Sequence, residues 1–189
     1  MRIISGKYKG HQLVSFKADH LRPTTDRVKE TQFNKLMGYT EDARVLDLFC
    51  GTGNLGLEAL SRGARDVLFV DANKQSLQIT LKNIEKLKIP KNQYRTQLED
   101  VIPFLKSFKD EPFDLILIDP PFTKKMAHEV MQAVSESLVY GPNTLITIES
   151  ERKEQIDDTY GSLSRYDTRE FGDKILSFFS KKDDNNRDE

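Results

Sequence analysis

Asp119-Pro120-Pro121-Phe122 follows the apolar run Leu115 to Ile118 and joins a carboxylate, two residues lacking a backbone N–H and an aromatic ring. An amino group on an aromatic base is a weak nucleophile because its lone pair is delocalised into the ring. Asp119 can take one N–H of such an amine and the Pro120 carbonyl the other, while Pro121 stiffens the turn and Phe122 stacks on the base. A rigid proline turn with a buried Phe122 is the plain structural alternative. A second constellation lies upstream, where Asp47-Leu-Phe49-Cys-Gly51-Thr-Gly53-Asn-Leu-Gly56 turns from an apolar run into a helical pattern. Gly51-x-Gly53-x-x-Gly56 with Asp71 twenty residues after Gly51 also satisfies the dinucleotide fingerprint, so a nicotinamide oxidoreductase competes. Asp47 separates the two: a carboxylate there repels a pyrophosphate and pairs with the cationic methionine moiety of S-adenosyl-L-methionine. Asp71 is then placed for the ribose hydroxyls and Asp100 for the adenine amino group, with Phe49 in the same loop. For Asp100, an acid at a helix start is an equal alternative.

Strands and helices must alternate to position these residues. Val45 to Phe49, Val67 to Asp71, Leu115 to Asp119 and Leu145 to Ile148 read as buried parallel strands, with a further one around Tyr94 to Thr96. Leu77, Leu81, Ile84 and Leu87 recur at helical spacing after an Asn73 cap; Met126, Val130, Val134 and Leu138 repeat the pattern. The alternation predicts a doubly wound sheet with the tetrad opening at its carboxyl edge. Gly172-Asp173 between Ser162–Phe171 and Lys174–Ser180 predicts an antiparallel edge hairpin. Residues 1–20 predict a short basic hairpin, and Thr24 to Met37 a helix capped by Thr24 or Thr25.

A chain of 189 residues supports one domain, expected over 1–180 as a hairpin extension (1–20) and a core (21–180). The apolar-free stretch 181–189 is expected to be a disordered tail. Net charge is -1, yet the first forty residues hold eight Lys and Arg against three Asp and Glu. Cys50 is the only cysteine, so no intrachain disulfide forms, a reduced cytoplasm fits, and Cys50 itself reads as a small buried filler. No cysteine accompanies the tetrad, which disfavours cysteine-adduct methylation of ring carbon. His11, His20 and His128 are scattered, so no metal is expected, and no stretch is long and apolar enough to predict a membrane span. An adenine-N6 DNA methyltransferase remains open, although no separate target-recognition segment is evident. A non-catalytic RNA-binding assembly factor is a further alternative.

Leu21-Arg22-Pro23-Thr24-Thr25-Asp26-Arg27-Val28-Lys29-Glu30-Thr31-Gln32-Phe33-Asn34 offers Arg22, Arg27 and Lys29 to phosphates or to the cofactor, with a solvated basic helix face as the bland alternative. This string, the opening Arg2-Ile3-Ile4 with Gly6 and Gly10, LDLFCGTGNLGLEALSRGA, IDPPF and Ile148-Glu149-Ser150-Glu151 together resemble the RsmD-type bacterial 16S ribosomal RNA (guanine-N2)-methyltransferases. The resemblance spans nearly the whole chain. It implies a Rossmann-like class I methyltransferase fold with a seven-stranded, mostly parallel sheet, S-adenosyl-L-methionine as donor, and small-subunit ribosomal RNA in an assembled or assembling 30S particle as substrate. It also implies a catalytic role for Asp119 to Phe122. In the basic hairpin, Lys7, Tyr8 and Lys9 offer RNA two charges and a stacking ring.

Overall fold

The computed structural model describes residues 1–15, 26–122, 125–154 and 156–182. Helix α1 (Asp26–Lys35) leads into β1 (Arg44–Leu48), α2 (Asn54–Ser61), β2 (Asp66–Asp71) and α3 (Lys74–Lys86). A 3-10 turn precedes β3 (Tyr94–Leu98), followed by α4 (Val101–Ser107), β4 (Phe113–Ile118), α5 (Met126–Ser135) and β5 (Tyr140–Glu151). The chain closes with β6 (Thr159–Tyr160), β7 (Leu163–Phe171) and β8 (Lys174–Lys181). All lie in one sheet ordered β3-β2-β1-β4-β5-β8-β7-β6.

The first five strands run parallel, because each is followed by a crossover that returns the chain to the same edge. From β1 the chain winds outward through β2 to β3, then returns to β4 on the other side of β1. The sheet's switch point therefore falls between β1 and β4, where the carboxyl ends of neighbouring strands diverge into a crevice. β1 is buried along its whole length and β4 at all but one residue, hence their near-continuous apolar runs. One core, with Val45, Val67, Phe69, Leu115 and Leu117, lies under the N-terminal segment, α1, α2 and α3. The other, with Leu46, Val70, Ile116 and Ile118, lies under α4 and α5.

The sheet has eight strands among the described residues where seven were expected. The addition is β6, whose two residues pair with Leu163 and Ser164 at the edge and are too few to show any periodicity. β5 is far longer than Leu145–Ile148: its start takes in Gly141-Pro142-Asn143 through a register shift against β4. Asn73 caps α3 as expected, accepting from Gln75 N–H at 2.8 Å. The expected caps Thr24 and Thr25 lie outside the described residues, and Met37 stands exposed beyond the end of α1. Leu138, expected on the apolar stripe of α5, likewise lies beyond its helix and is exposed. Of the expected tail, Lys181 still pairs with Leu163 and Lys182 N–H reaches Ser162 O, so the ladder continues two residues further; 183–189 lie outside the described residues. No described helix is long and apolar enough to cross a membrane.

Of the hairpin expected over 1–20, residues 1–13 form one, with Ile3 N–H on His11 O, Gly10 N–H on Ile3 O and a bridge between Arg2 and Gln12, while 16–20 lie outside the described residues. Gly6 (φ 81°) lets its tip press on α2, since a Cβ there would stand 1.8 Å from Ser61 O.

Candidate active site

Four neighbouring strands, β3, β2, β1 and β4, each deliver one aspartate at or past the carboxyl edge: Asp100, Asp71, Asp47 and Asp119. Between them runs the glycine loop. Phe49, Gly51 and Gly53 all have positive φ (57°, 57° and 79°), and Gly53 N–H closes the turn on Cys50 O at 2.7 Å. Helix α3 braces the loop from outside, with Thr80 Oγ1 donating to Gly51 O and Asn83 Nδ2 to Thr52 O. At Gly56 a Cβ would meet Phe69 Cε1 at 2.4 Å and Asp47 Oδ2 at 2.9 Å, so only glycine lets α2 start this close to the sheet.

Asp47 lies beneath that helix start, almost fully buried, with Oδ2 accepting the Gly56 N–H at 2.9 Å. Burial pushes its carboxyl up to about 8; the Gly56 hydrogen bond opposes this, and the charges of Asp119 and Asp71 add to it. Among the described residues Asp47 makes no ion pair, so its buried carboxyl group lies beneath the glycine loop without a counter-charge. This donor set fits a ligand carrying positive charge and gives nothing to hold a pyrophosphate. Asp71 accepts Gly51 N–H and Asn73 N–H, both at 2.8 Å, so it braces the loop besides standing where a ribose is expected. Asp100 occupies the N-cap position of α4 yet makes no side-chain bond to that helix. Its side chain is exposed beside the start of that helix. Cys50 is buried as expected, and burial pushes its thiol far above its ordinary range.

The tetrad leaves β4 beside this loop. Asp119 N–H points to Leu48 O at 3.5 Å, tying the end of β4 to the end of β1. Pro120 is buried and Pro121 exposed, while Phe122 is 41% exposed, against the reading of it as a buried core ring. Lys174 Nζ lies 4.8 Å from the centroid of that ring.

The expected RNA contacts divide. Lys7, Lys9 and Arg27 are exposed, and Arg22 lies outside the described residues. Tyr8 is not a stacking platform: it is 7% exposed, its N–H donates to Ser61 Oγ, and its ring joins the core with Ile3 and Leu13. Lys29 is likewise no phosphate contact or solvated charge. It is 1% exposed, donates to Arg2 O at 2.6 Å and Asn54 Oδ1 at 2.8 Å, and pairs with Glu58 at 3.1 Å. Glu58 also accepts from Ile4 N–H, Ser5 N–H and Arg62. This polar hub fastens the N-terminal hairpin and α1 to the first turn of α2, and it was missed. A signal existed, since Lys29 falls on the helical stripe of Phe33 and Leu36, and Glu58 is the only charge in Leu55 to Ser61.

Residues 1–180 match the family described as Conserved hypothetical protein 95. The chain belongs to this family. Its relatives include the Ribosomal RNA small subunit methyltransferase D of Haemophilus influenzae, 39% identical over 153 residues that make up 80% of this chain and 79% of that protein. The Putative rRNA methyltransferase YlbH of Bacillus subtilis is 32% identical over 184 residues, 96% of this chain and all of the relative. Among solved structures, the putative methyltransferase yhhF from Escherichia coli superposes with a TM-score of 0.85 at 32% identity, covering 96% of this chain and 98% of that one. The family thus spans the described fold from the hairpin to β8, consistent with the resemblance drawn from the motifs.

Proposed function

We propose that residues 1–180 form one methyltransferase domain that transfers a methyl group from S-adenosyl-L-methionine to the exocyclic N2 amine of a guanine in small-subunit ribosomal RNA, presented in the cytoplasm on an assembled or assembling 30S particle. The observation that carries this reading is the adjacency of two sites. The glycine loop and the acceptor tetrad leave neighbouring strands at the switch point, with Asp119 N–H against Leu48 O and the Asp119 charge felt by Asp47. The names of the relatives supply ribosomal RNA of the small subunit.

When bound, the cofactor supplies a methyl on a sulfonium sulfur. Asp47 would offset the positive charge of that ligand, Asp71 and Asp100 would hold its ribose and adenine, and the glycines would leave it room beside the loop backbone. Asp119 and the Pro120 carbonyl accept the two N–H groups of the target amine, which directs the nitrogen lone pair at the methyl. Methyl transfer would place positive charge on that nitrogen, with the demethylated cofactor as leaving group, and the Asp119 carboxylate would stabilise the charge and take the released proton. Phe122 stacks on the base, which must be unpaired or rotated out of its helix to reach the crevice.

Purified protein incubated with labelled cofactor and small subunits lacking the modification is expected to incorporate one methyl per particle. Asp119→Ala is expected to lower kcat by about 10²–10⁴-fold while still binding S-adenosylhomocysteine. Methyladenine appearing in plasmid DNA, or no transfer to RNA by the unaltered protein, rejects the proposal.

A further inference from the structure

The pair Glu149–Lys174 is unaccounted for by cofactor binding or by the tetrad's own chemistry. Glu149, from the Ile148-Glu149-Ser150-Glu151 string, lies near the carboxyl end of β5 and is 1% exposed. Lys174 opens β8 just after the Gly172-Asp173 turn, and its Nζ lies 2.9 Å from Glu149 Oε2 with only 12% of the side chain exposed. The antiparallel register brings that turn to the carboxyl edge, where Arg152 N–H fastens to Asp173 O. In sheet order β5 stands between β4 and β8, so the Phe122 ring, leaving the end of β4, reaches across β5 to the ammonium of Lys174.

Stability alone is a poor reason for this arrangement. Removing a lysine and a glutamate from water costs more than packing two apolar side chains in the same volume. The pair does something an apolar pair cannot. Pro120 and Pro121 fix the backbone before Phe122 but leave the ring's own torsions free, and a cation against one face of an aromatic ring holds its plane. Glu149 anchors the cation, and its negative charge offsets the ammonium so that the site stays suited to a nitrogen that becomes positive during transfer.

We propose that Lys174, held by Glu149, is a positioning residue for the target base: it occupies one face of Phe122 and sets the ring so that the opposite face receives the base. This rests on the reading of Phe122 as the stacking partner. It also gives the glutamate string a function in substrate alignment.

The test uses the full chain with small subunits lacking the methyl, measuring kcat, KM for the particle and calorimetric affinity for S-adenosylhomocysteine. Lys174→Met is expected to lower kcat about ten-fold with S-adenosylhomocysteine affinity unchanged, and Lys174→Arg to restore most of it. Glu149→Gln is expected to follow Lys174→Met. In a Phe122→Ala background, Lys174→Met is expected to cost nothing further, because the ring through which it acts is gone. An equal loss in both backgrounds, or full kcat in Lys174→Met, overturns the proposal while leaving the function intact. Full kcat in Phe122→Ala instead overturns the stacking reading itself. Should Lys174→Met fail to fold, Lys174→Gln carries the same comparison.

Discussion

With its carboxyl pushed up to about 8, Asp47 keeps a proton at neutral pH that an unfolded chain releases near 3.8. The folded state therefore binds more protons than the unfolded one across that interval, and ligand-free protein loses stability as pH rises from about 4 to about 8. A cationic ligand reverses the preference, because it favours the ionised carboxylate. Binding of S-adenosylmethionine is then expected to release up to about one proton per molecule at pH 7, and affinity to climb by up to about ten-fold per pH unit before levelling above pH 8. Calorimetry in buffers of different ionisation enthalpy measures the proton directly; release that is absent at pH 7 contradicts the role given to Asp47. The chemistry of Asp47, Gly51, Gly53 and Gly56 was legible because it depends on residue type and short spacing. The loop-bracing role of Asp71 was not, since its Gly51 and Asn73 partners are backbone N–H groups whose directions only the folded turn defines. Tyr8 misled because an aromatic between two lysines looks the same on a surface as it does anchoring a hairpin.

Helix α1 packs on the body of the protein through Val28 and Phe33 and adds one buried lysine to that contact. Lys29 joins hairpin, α1 and α2, so its removal leaves Glu58 in the interior with Arg62 and two backbone N–H groups but without its innermost cation. Lys29→Ala is expected to destabilise the protein by about 3 kcal/mol, lowering the melting temperature by roughly 6–12 °C. Because Asn54 begins α2 directly after Gly53, cofactor affinity is expected to fall with it. A melting curve that does not move contradicts the hub. Most elements could be read beforehand, since buried strands give unbroken apolar runs and α3 announces itself by cap and stripe. What could not be read is pairing between distant segments: the settings of Lys29 and Glu58 each hint at burial, but only the fold brings the two together.

Across the whole molecule, the hairpin tip and the catalytic edge lie at opposite ends of α2. Lys7 N–H binds Ser61 O at the last residue of that helix, whereas the glycine loop precedes its first, a separation of about 12 Å along the axis. RNA that presents a base at the crevice and also contacts Lys7 and Lys9 must therefore span that separation. Lys7→Ala/Lys9→Ala is expected to raise KM for the particle by about three- to ten-fold at low salt and by less at high salt, with kcat unchanged. Identical KM at every salt concentration would assign the hairpin a purely structural role. The alternation of strands and helices predicted a doubly wound sheet, but no one-dimensional pattern says at which end of a helix a hairpin tip docks.

Cys50, finally, is the only thiol in the chain, and it lies sealed beneath the glycine loop against Thr80. The protein thus carries its own clock for the opening of that loop. An alkylating reagent can react only when the loop lifts, so the labelling rate without cofactor counts local excursions, and S-adenosylhomocysteine is expected to slow it in proportion to its occupancy. Comparing that rate with global unfolding separates a breathing crevice from a melting domain.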